Sequence, residues 1–528
     1  MARSSLFAGL QRLCADAMRR SGSAAAVDLW PRTTRRDLLA LTGAAAASAL
    51  ISPRTARSAT KPHIAIVGGG IGGLTAGLTL LDAGYTSTIY EASGRVGGRM
   101  HSDTSSWLDG EVSEHCGELI DSGHTLIASL AHRFNIGLTD LLAAQPKAAT
   151  DTGFFFGEYY SRSQAERDFA PVSAALARDQ KAAGDTTTFD QHNAAGQALD
   201  DMSAYDWIEK NVPGGHGSPM GRLIDVAYDI EYGASTQAQS ALNIVYLLAD
   251  QPDPQHPTLF GASDERYHMI GGNERLPQAI SAELERRSPG TIRLRNSLTE
   301  ITRGENGNYL LGFQSGTGPI QVAADHVILA IPFSVLRKLD YSRAGFDDLK
   351  RKAITELGYG TNVKLHLQFT SRLWNRTGSW GISTGGSFTD LGYQNTWEVT
   401  RGQSGTSGIL VDYLGSAGAE ITGDPQDPAV ARDYAKRFLA QLERVFPGIT
   451  GLWNGRVTLD VPARSPFLLG SYSFWRVGQY TRIAGAEKLP SGRCHFAGEH
   501  CSLDFQGYME GAAREGARAA QEILTAQR

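Results

Sequence analysis

The apolar residues that follow position 60 fall into short runs separated by glycines. Residues 63–67 (HIAIV) form a largely apolar run of the length expected for a buried strand. After a glycine-rich segment, residues 74–81 place apolar side chains at helical spacing, and residues 87–92 form a second short run. A strand, a glycine turn, a helix and a second strand in this order predict an α/β fold built on a parallel sheet.

The middle of the chain shows two other patterns. Residues 151–265 are rich in helical signals, and Ser203 has an acidic residue three positions later, as at a helix N-cap. The run 240–248 is apolar almost throughout and fits either a buried helix or a buried strand. Residues 363–369 and 408–413 are predicted to be strands.

The glycine segment between the first strand and the first helix has the spacing of a dinucleotide-binding turn. Gly68, Gly70 and Gly73 stand in G-x-G-x-x-G register, with Ile71 and Gly72 between them. The first glycine permits a tight turn, the second lets a pyrophosphate approach the backbone, and the third lets the helix pack closely on the strand. The free N–H groups and the positive end of the helix then face the phosphates.

An acidic residue closes the second strand. Glu91, followed by Ala92, lies 18 residues after Gly73. A carboxylate at this place accepts hydrogen bonds from the ribose of the adenosine half of a dinucleotide. The same charge would repel a 2′-phosphate, so the pattern argues against NADP.

Residues 94–99 (GRVGGR) favour FAD over NAD. Arg95 and Gly98 belong to this segment, and Arg99 is the best candidate for the pyrophosphate because a guanidinium binds phosphate in a bidentate way. The segment resembles the G-R-x-G-G-R signature of the flavin amine oxidase family. Further stretches that resemble the family are residues 271–277, 293–301, 327–332, 362–367 and 496–512.

The resemblance implies a discontinuous architecture. A Rossmann-like FAD-binding domain of the GR2 type would be interleaved with a substrate-binding domain made of a sheet and covering helices. The FAD-binding parts are expected at residues 61–150, 266–340 and 476–528, and the substrate-domain parts at residues 151–265 and 341–475.

The resemblance also implies further contacts with FAD. Leu298 is expected near the adenine and Glu499 near the ribityl or pyrophosphate region, while Gly507 and Met509 stand at the start of a helix whose positive end faces the flavin ring. Ser471 occupies the position of the cysteine that tethers the flavin in monoamine oxidases, so FAD is expected to be noncovalent. The segment assigned to the cofactor side of the site is Gly117, Glu118, Leu119 and Ile120.

Four residues are expected at the catalytic face by the same resemblance. Lys364 stands where the family places its active-site lysine and would hold a water close to flavin N5. Tyr508 and Tyr472 correspond to the paired aromatic cage, and Trp475 is a candidate to supplement or replace Tyr472. An aromatic, poorly solvating pocket lowers the pKa of an amine, and only a neutral amine has the lone pair that assists hydride loss.

The expected reaction is the oxidative deamination of a primary or secondary amine. Hydride transfer to flavin N5 would be followed by imine hydrolysis to an aldehyde and ammonia, and by reoxidation with O2 to H2O2. The alternative is an L-amino acid oxidase that gives a 2-oxo acid, ammonia and H2O2. A dehydrogenase that uses another electron acceptor is a further variant.

The candidate substrate handles differ from those of venom-type L-amino acid oxidases. Ile120 replaces their carboxylate-binding arginine, and Trp397 and Glu398 stand instead of their tyrosines. Arg476 is left as another candidate for a substrate carboxylate. Glu398 or Asp504 is a candidate to receive the distal ammonium of a diamine or a basic amino acid.

Residues 1–60 have the character of a targeting segment. Their nine arginines and three aspartates give a net charge of +6, and residues 34–39 (TRRDLL) precede a short alanine-rich apolar stretch. This pattern resembles a twin-arginine export signal removed near residues 54–60, which predicts a periplasmic or secreted enzyme. The alternatives are a disordered basic tail and an organelle transit peptide.

The composition and charge of the chain argue against several classes of partner. The chain is 41% hydrophobic and has a net charge of −5, so residues 61–528 carry −11, which argues against nucleic acid as a partner. Neither membrane insertion after export nor a metal site is expected. The expected partners are a small amine or amino acid and O2, with a homodimer as an open alternative to a monomer.

A flavin carrier without turnover and a carotenoid-type desaturase or protoporphyrinogen oxidase share the FAD pattern, but the presence of Lys364 and Tyr508 argues against them.

Overall fold

The structure is a computed structural model that describes residues 61–249 and 263–527. The predicted export signal at residues 1–60 lies outside the described residues. Within them, no helix is both long and apolar enough to cross a bilayer.

The strands and helices follow one another in chain order. The strands are β1 Ile64–Val67, β2 Thr88–Tyr90, β3 Ser102–Asp103, β4 Ser113–Glu114, β5 Leu138–Asp140, β6 Thr150–Phe155, β7 Glu158–Tyr160, β8 Tyr267–Met269, β9 Ile292–Arg293, β10 Asn296–Arg303, β11 Tyr309–Ser315, β12 Gly318–Ala324, β13 His326–Leu329, β14 Asp340–Arg343, β15 Gly358–Tyr359, β16 Val363–Phe369, β17 Ser383–Thr389, β18 Asn395–Glu398, β19 Gly408–Leu414, β20 Trp453–Asp460, β21 Ser473–Phe474 and β22 Cys494–Phe496. The α-helices are α1 Ile71–Asp82, α2 Thr125–Arg133, α3 Arg162–Ala183, α4 Ala194–Asp200, α5 Ala204–Asn211, α6 Pro219–Tyr232, α7 Ala241–Ala249, α8 Arg275–Arg287, α9 Phe333–Leu336, α10 Asp348–Glu356, α11 Pro428–Val445, α12 Tyr480–Ile483 and α13 Met509–Ala526.

The predicted α/β fold is confirmed by a five-stranded parallel sheet in the order β22-β13-β1-β2-β9. Strand β1 is apolar on both faces because both faces are covered. Ile64 and Ile66 pack into a core formed with α1, α8 and α13, whereas Ala65 and Val67 pack into the core formed with the four-stranded sheet β12-β11-β10-β14. The central strand is therefore the most buried element of this half of the molecule.

A second, mixed sheet of seven strands runs in the order β20-β16-β19-β18-β17-β6-β7. The predicted strands at residues 363–369 and 408–413 are confirmed as β16 and β19, which pair antiparallel. Neighbouring residues face different layers: Val411 packs against the helices of residues 162–249, while Leu410 packs against α11. The chain enters this sheet at β6, leaves it after β7 and returns at β16, so the two sheets are interleaved along the sequence.

Two local predictions are settled by the helices of this layer. The Ser203 side chain accepts a hydrogen bond from the Asp206 backbone N–H at 3.0 Å and caps α5, as predicted. The apolar run 240–248 is helical, as α7.

The C-terminal helix α13 lies directly against α1. A Cβ on Gly516 would stand 2.0 Å from the carbonyl oxygen of Gly72, and a Cβ on Gly72 would stand 2.9 Å from that of Ala512. Glycine is needed at this crossing because a larger side chain would push the helices apart. The tight packing brings the beginnings of both helices to one edge of the parallel sheet.

Candidate active site

A cavity of about 800 Å³ lies where the two sheets meet. On one side it is lined by the segments that follow the carboxyl ends of β1, β2, β13 and β22, which is where parallel α/β sheets bind ligands. On the other side it is lined by Lys364 of β16, Trp397 of β18 and Tyr413 of β19. The parallel sheet therefore supplies the loops that line one side of the cavity, and the mixed sheet supplies a lysine and two aromatic side chains to the other side.

The glycine turn has the geometry that its spacing predicts. Gly68 has a φ of +105°, and a Cβ there would lie 2.5 Å from the carbonyl oxygen of Ala330. A Cβ on Gly73 would lie 2.0 Å from the carbonyl oxygen of Gly68, so this glycine allows the close packing of helix on strand. At Gly70 a Cβ would meet nothing within 4 Å, because this residue opens onto the cavity at the uncapped start of α1. The turn fits a phosphate group placed at the positive end of a helix.

Glu91 lies at the cavity wall at the end of β2. Its Oε2 accepts a hydrogen bond from the Gly69 backbone N–H at 2.7 Å, and its Oε1 accepts one from the Ser93 backbone N–H at 2.8 Å. Each carboxylate oxygen has a second lone pair. The backbone thus fixes the carboxylate at the cavity wall while leaving acceptor capacity for ribose hydroxyls.

The two arginines of the 94–99 segment have different surroundings. Arg95 donates to the carbonyl oxygen of Gly98 at 2.7 Å, within its own turn. Arg99 donates to Glu499 Oε1 at 2.8 Å and to the carbonyl oxygen of Ser471 at 2.8 Å. Although burial opposes ionisation of Glu499, the charge of Arg99 lowers the pKa of this carboxyl below its ordinary value. Two residues predicted separately as cofactor contacts therefore form one ion pair at the cavity wall, with Glu499 buried and Arg99 partly exposed.

Most of the predicted cofactor residues line the cavity, and two do not. Gly73 supports the turn from behind, as its packing role requires. Ile120 was expected beside the cofactor, but it is fully buried in the apolar core, and its backbone pairs with Tyr267. The predicted residues that line the cavity are Gly68, Gly70, Ile71, Gly72, Glu91, Ala92, Arg95, Gly98, Arg99, Gly117, Glu118, Leu119, Leu298, Glu499, Gly507 and Met509.

Lys364 reaches the cavity from β16, which lies beside the edge strand β20 of the seven-stranded sheet. Its Nζ donates to Glu118 Oε2 at 2.7 Å and to the carbonyl oxygen of Glu114 at 3.1 Å. The other carboxylate oxygen, Glu118 Oε1, accepts from Trp397 Nε1 at 2.9 Å. This arrangement holds a cation, an anion and an indole together in a buried part of the cavity wall.

The aromatic lining is larger than the predicted pair. Tyr508 and Tyr472 both line the cavity, and the hydroxyl of Tyr472 lies 2.7 Å from that of Tyr413. The ring of Tyr413 meets the ring of Trp397 edge-on, with centroids 5.0 Å apart. The prediction for Trp475 was wrong: its side chain is buried away from the cavity and packs against Tyr480.

None of the candidate substrate handles from the sequence lines the cavity. Glu398 points to the other side of β18, where it pairs with Arg372 at 2.7 Å and accepts from Trp374 Nε1 at 2.8 Å. Asp504 and Arg476 are exposed at the surface. None of these three candidates reaches the cavity: Glu398 follows Trp397 in β18 and therefore faces the opposite side, and Asp504 and Arg476 lie on surface loops.

Several lining residues were not singled out as site residues from the sequence. They are Tyr413, Trp397, His115, Cys116, Asn362 and Glu265. For Tyr413 a signal existed, since it shares the alternation of the strand with Val411. Glu265 had none, because only the fold brings its loop to the cavity. Among the described residues no cluster of three or more His, Cys, Asp or Glu side chains could hold a metal ion.

Comparisons with known proteins agree with this geometry. The family model described as flavin containing amine oxidoreductase matches residues 71–524. The putative L-amino-acid oxidase YobN of Bacillus subtilis (strain 168) is 26% identical over 479 residues, which cover 87% of this chain and 94% of that protein. Polyamine oxidase 7 of Oryza sativa subsp. japonica is 24% identical over 477 residues, 86% of this chain and 93% of that protein.

Solved structures share the fold. The cyclohexylamine oxidase from Brevibacterium oxydans IH-35A superposes with a TM-score of 0.73 at 20% identity, covering 89% of this chain and 100% of that one. Wild-type putrescine oxidase bound to putrescine superposes with a TM-score of 0.71 at 19% identity, covering 88% and 99%. With the family match over most of its length, the chain belongs to the family of flavin-containing amine oxidoreductases.

Proposed function

We propose that the protein is an FAD-dependent oxidase of primary or secondary amines. Bound FAD supplies the acceptor for the hydride lost from the carbon that bears the amine, and O2 takes the electrons to give H2O2. The imine product hydrolyses to an aldehyde and ammonia, or to an aldehyde and a smaller amine. The chain's own residues bind the cofactor, neutralise and orient the amine, and exclude bulk water.

The residues around the glycine turn fit a noncovalent FAD. The open start of α1 at Gly70 suits the pyrophosphate, and Glu91 suits the ribose. Ser471, at the position of the monoamine oxidase tether, donates its hydroxyl hydrogen to Asn362 Oδ1 at 2.6 Å and offers no thiol. Cys116 is the cysteine that lines the cavity, and burial raises the pKa of its thiol to about 11. A protonated thiol is a poor nucleophile, which supports a cofactor held without a covalent bond.

We favour an amine over an amino acid as the substrate because of how the cations in the cavity wall are bonded. Among the described residues that line the cavity, the lysines and arginines are Arg95, Arg99 and Lys364. Arg99 is paired with Glu499 and Lys364 with Glu118, while Arg95 is bonded within the glycine-rich turn. An amino acid carboxylate would have to compete for these cations with Glu499, with Glu118 or with the backbone carbonyls bonded to Arg95, and a buried charge left unpaired costs several kcal/mol.

The aromatic wall suits a neutral amine. Tyr472, Tyr508, Tyr413 and Trp397 surround the space with rings that solvate an ammonium ion less well than water does. Such surroundings lower the pKa of a bound amine and favour the neutral form that loses hydride. We assign Lys364 to the positioning of a water near the reacting carbon, with Glu118 holding its ammonium in place.

An L-amino acid oxidase is the second candidate. Relatives of this chain include the putative oxidase YobN and an L-amino acid dehydrogenase of Synechocystis sp., which is 24% identical over 481 residues. Because the second relative is named a dehydrogenase, a variant of the proposal uses an electron acceptor other than O2. In either case the cofactor site would be the same, and the substrate carboxylate would need a cation outside the pairs described above.

A screen of the purified protein for peroxide separates the two candidates. Primary and secondary amines and the matching L-amino acids are offered singly, and H2O2 is followed with a peroxidase-coupled dye. We expect turnover of amines. Turnover restricted to amino acids would contradict the proposal, and flavin reduction without peroxide would indicate a different electron acceptor.

We also propose that residues 1–60 direct export by the twin-arginine route. The supporting observation is the arginine pair at positions 35 and 36 ahead of a short apolar stretch. Replacement of both arginines by lysine is expected to keep the protein in the cytoplasmic fraction, measured by cell fractionation. Unchanged export would contradict it.

A further inference from the structure

One acidic residue of the cavity wall has a side chain with no hydrogen-bond partner among the described residues. Glu265 is 3% exposed, lines the cavity, and neither of its two carboxylate oxygens is hydrogen-bonded to any described residue. Buried polar atoms are bonded in the great majority of cases, and each exception costs free energy. A carboxylate held in this way is suited to a ligand that brings its own hydrogen-bond donors.

The backbone holds Glu265 in place. Its φ is +45°, a left-handed conformation that is uncommon for a residue with a side chain. The Glu265 backbone N–H donates to Asp121 Oδ1 at 2.8 Å, and the hydroxyl of Ser263 donates to the same oxygen at 2.6 Å. Asp121 therefore holds the loop in a backbone conformation that residues with a side chain rarely adopt. Strain of this kind is concentrated at ligand-binding positions.

The charges around Glu265 favour a cation. Burial, and after it Asp121 and Glu231, raise the pKa of Glu265 well above its ordinary value; Asp151 acts in the same direction, and Arg401 opposes them. Arg401 is not hydrogen-bonded to Glu265; its Nε donates to the carbonyl oxygen of Glu398 at 3.0 Å, and it does not line the cavity. The raised pKa favours the neutral form of Glu265, and a positively charged group placed beside it would favour its ionised form.

We propose that Glu265 binds a second cationic group of the substrate, so that the enzyme acts on amines that carry another ammonium or guanidinium along an aliphatic chain. The inference rests on the proposed amine oxidation and names its substrate class. A simple monoamine would leave the Glu265 carboxyl without a partner, and a carboxylate on the substrate would oppose its ionisation.

Matched substrates of equal chain length test this inference in the holoenzyme. The ratio of kcat/KM for 1,4-diaminobutane to that for butan-1-amine, and the corresponding ratio for 1,5-diaminopentane and pentan-1-amine, are measured in the wild type and in Glu265→Gln. Because a hydrogen bond to a charged group contributes about 1.5–3 kcal/mol, we expect the ratio to fall about 10- to 100-fold in the variant. Asp504→Asn, which removes an exposed carboxylate outside the cavity, is the control and should keep the wild-type ratio.

A binding measurement on the wild type keeps the inference testable if the variant does not fold. The holoenzyme is reduced with dithionite without oxygen, so that no turnover occurs, and Kd is measured by calorimetry for each diamine and its monoamine. We expect the diamine to bind at least about tenfold more tightly. Equal dissociation constants, or a ratio that Glu265→Gln does not change, would overturn the assignment of Glu265.

The outcomes also separate this inference from the proposed function. If monoamines and diamines are oxidised equally well, amine oxidation holds and the role of Glu265 fails. If only amino acids are oxidised, L-lysine against L-norleucine gives the same matched comparison, so Glu265 can be tested although the amine proposal has failed.

Discussion

Lys364 Nζ lies 2.7 Å from Glu118 Oε2, in an ion pair that joins β16 of the seven-stranded sheet to the segment that follows β4. Both side chains are almost fully buried at the cavity wall. The pair fixes the lysine without consuming all of its donors, since an ammonium has three N–H groups. It also explains how a charged residue is accommodated in a strand buried on both faces.

Replacement of Lys364 by methionine tests its role. We expect flavin reduction by the amine, or reoxidation by O2, to slow about 100-fold, because loss of a positioning group can cost that much in rate. FAD should remain bound, because Glu118 is the one residue assigned to FAD to which Lys364 is hydrogen-bonded in the described part of the chain. Stopped-flow absorbance at the flavin bands measures both half-reactions. Lys338→Met removes an exposed lysine and is the control; equal rates in both variants would remove Lys364 from the reaction.

Two glycines of the same turn are expected to respond differently to alanine. Gly73→Ala places a Cβ 2.0 Å from the carbonyl oxygen of Gly68 and should lower the free energy of unfolding by about 3 kcal/mol. Gly70→Ala meets no protein atom within 4 Å and should fold normally, but with weakened FAD binding because the methyl group takes the space of a phosphate. Thermal denaturation and the flavin-to-protein absorbance ratio after dialysis measure the two effects. Gly217→Ala, in open space away from the cavity, is the control.

The stability of the protein should depend on His124 at acid pH. Burial lowers the pKa of His124 to about 4, from an ordinary value of 6.5, and its Nδ1 accepts a hydrogen bond from the Asp121 backbone N–H. Because the unfolded chain binds a proton at this residue over that interval, the free energy of unfolding falls as the pH drops from 6.5 to about 4, by up to about 3 kcal/mol.

Urea denaturation of His124→Gln and the wild type at a series of pH values measures this dependence. The wild type should lose stability more steeply than the variant as the pH falls, whereas His132→Gln, an exposed change on α2, should follow the wild type. Parallel curves for the wild type and His124→Gln would contradict the assignment. The residue matters for the site because its ring packs edge-on against Tyr508, with centroids 5.0 Å apart.

Noncovalent binding predicts the fate of the colour on denaturation. Acid precipitation of the holoenzyme should leave FAD in the supernatant, identified by its absorbance and by chromatography. Cys116→Ser should behave in the same way, because burial keeps this thiol protonated. A yellow pellet in the wild type that becomes colourless in Cys116→Ser would show a tether at that residue.

The glycine turn of the cofactor half was predictable because its residues act close to one another in the chain, whereas the distant contacts at Leu298 and Glu499 were predicted from the family resemblance. The spacing of Gly68, Gly70 and Gly73 encodes a turn whose shape depends on backbone sterics alone, and the structure shows that shape. The substrate half depends on which side of a strand a residue faces and on which loops meet there. Trp397 lines the cavity, so Glu398, its neighbour in β18, faces the opposite layer.

The error at Trp475 has the same origin. The residue stands three positions from Tyr472, but the short strand β21 and the turn after it direct its ring into the core beside Tyr480. Glu265 shows the opposite case, because no local pattern distinguishes it from any other acidic loop residue. Its burial and its place in the cavity arise from contacts with Asp121, which is distant in the sequence.

The absorbance spectrum of the purified protein, before and after anaerobic addition of an amine, tests the central claim most directly. The account predicts a yellow protein whose flavin bands bleach on addition of a diamine and return, with one equivalent of H2O2, when air is admitted. A preparation that stays colourless after reconstitution with FAD, or one whose bands no amine bleaches, would contradict it.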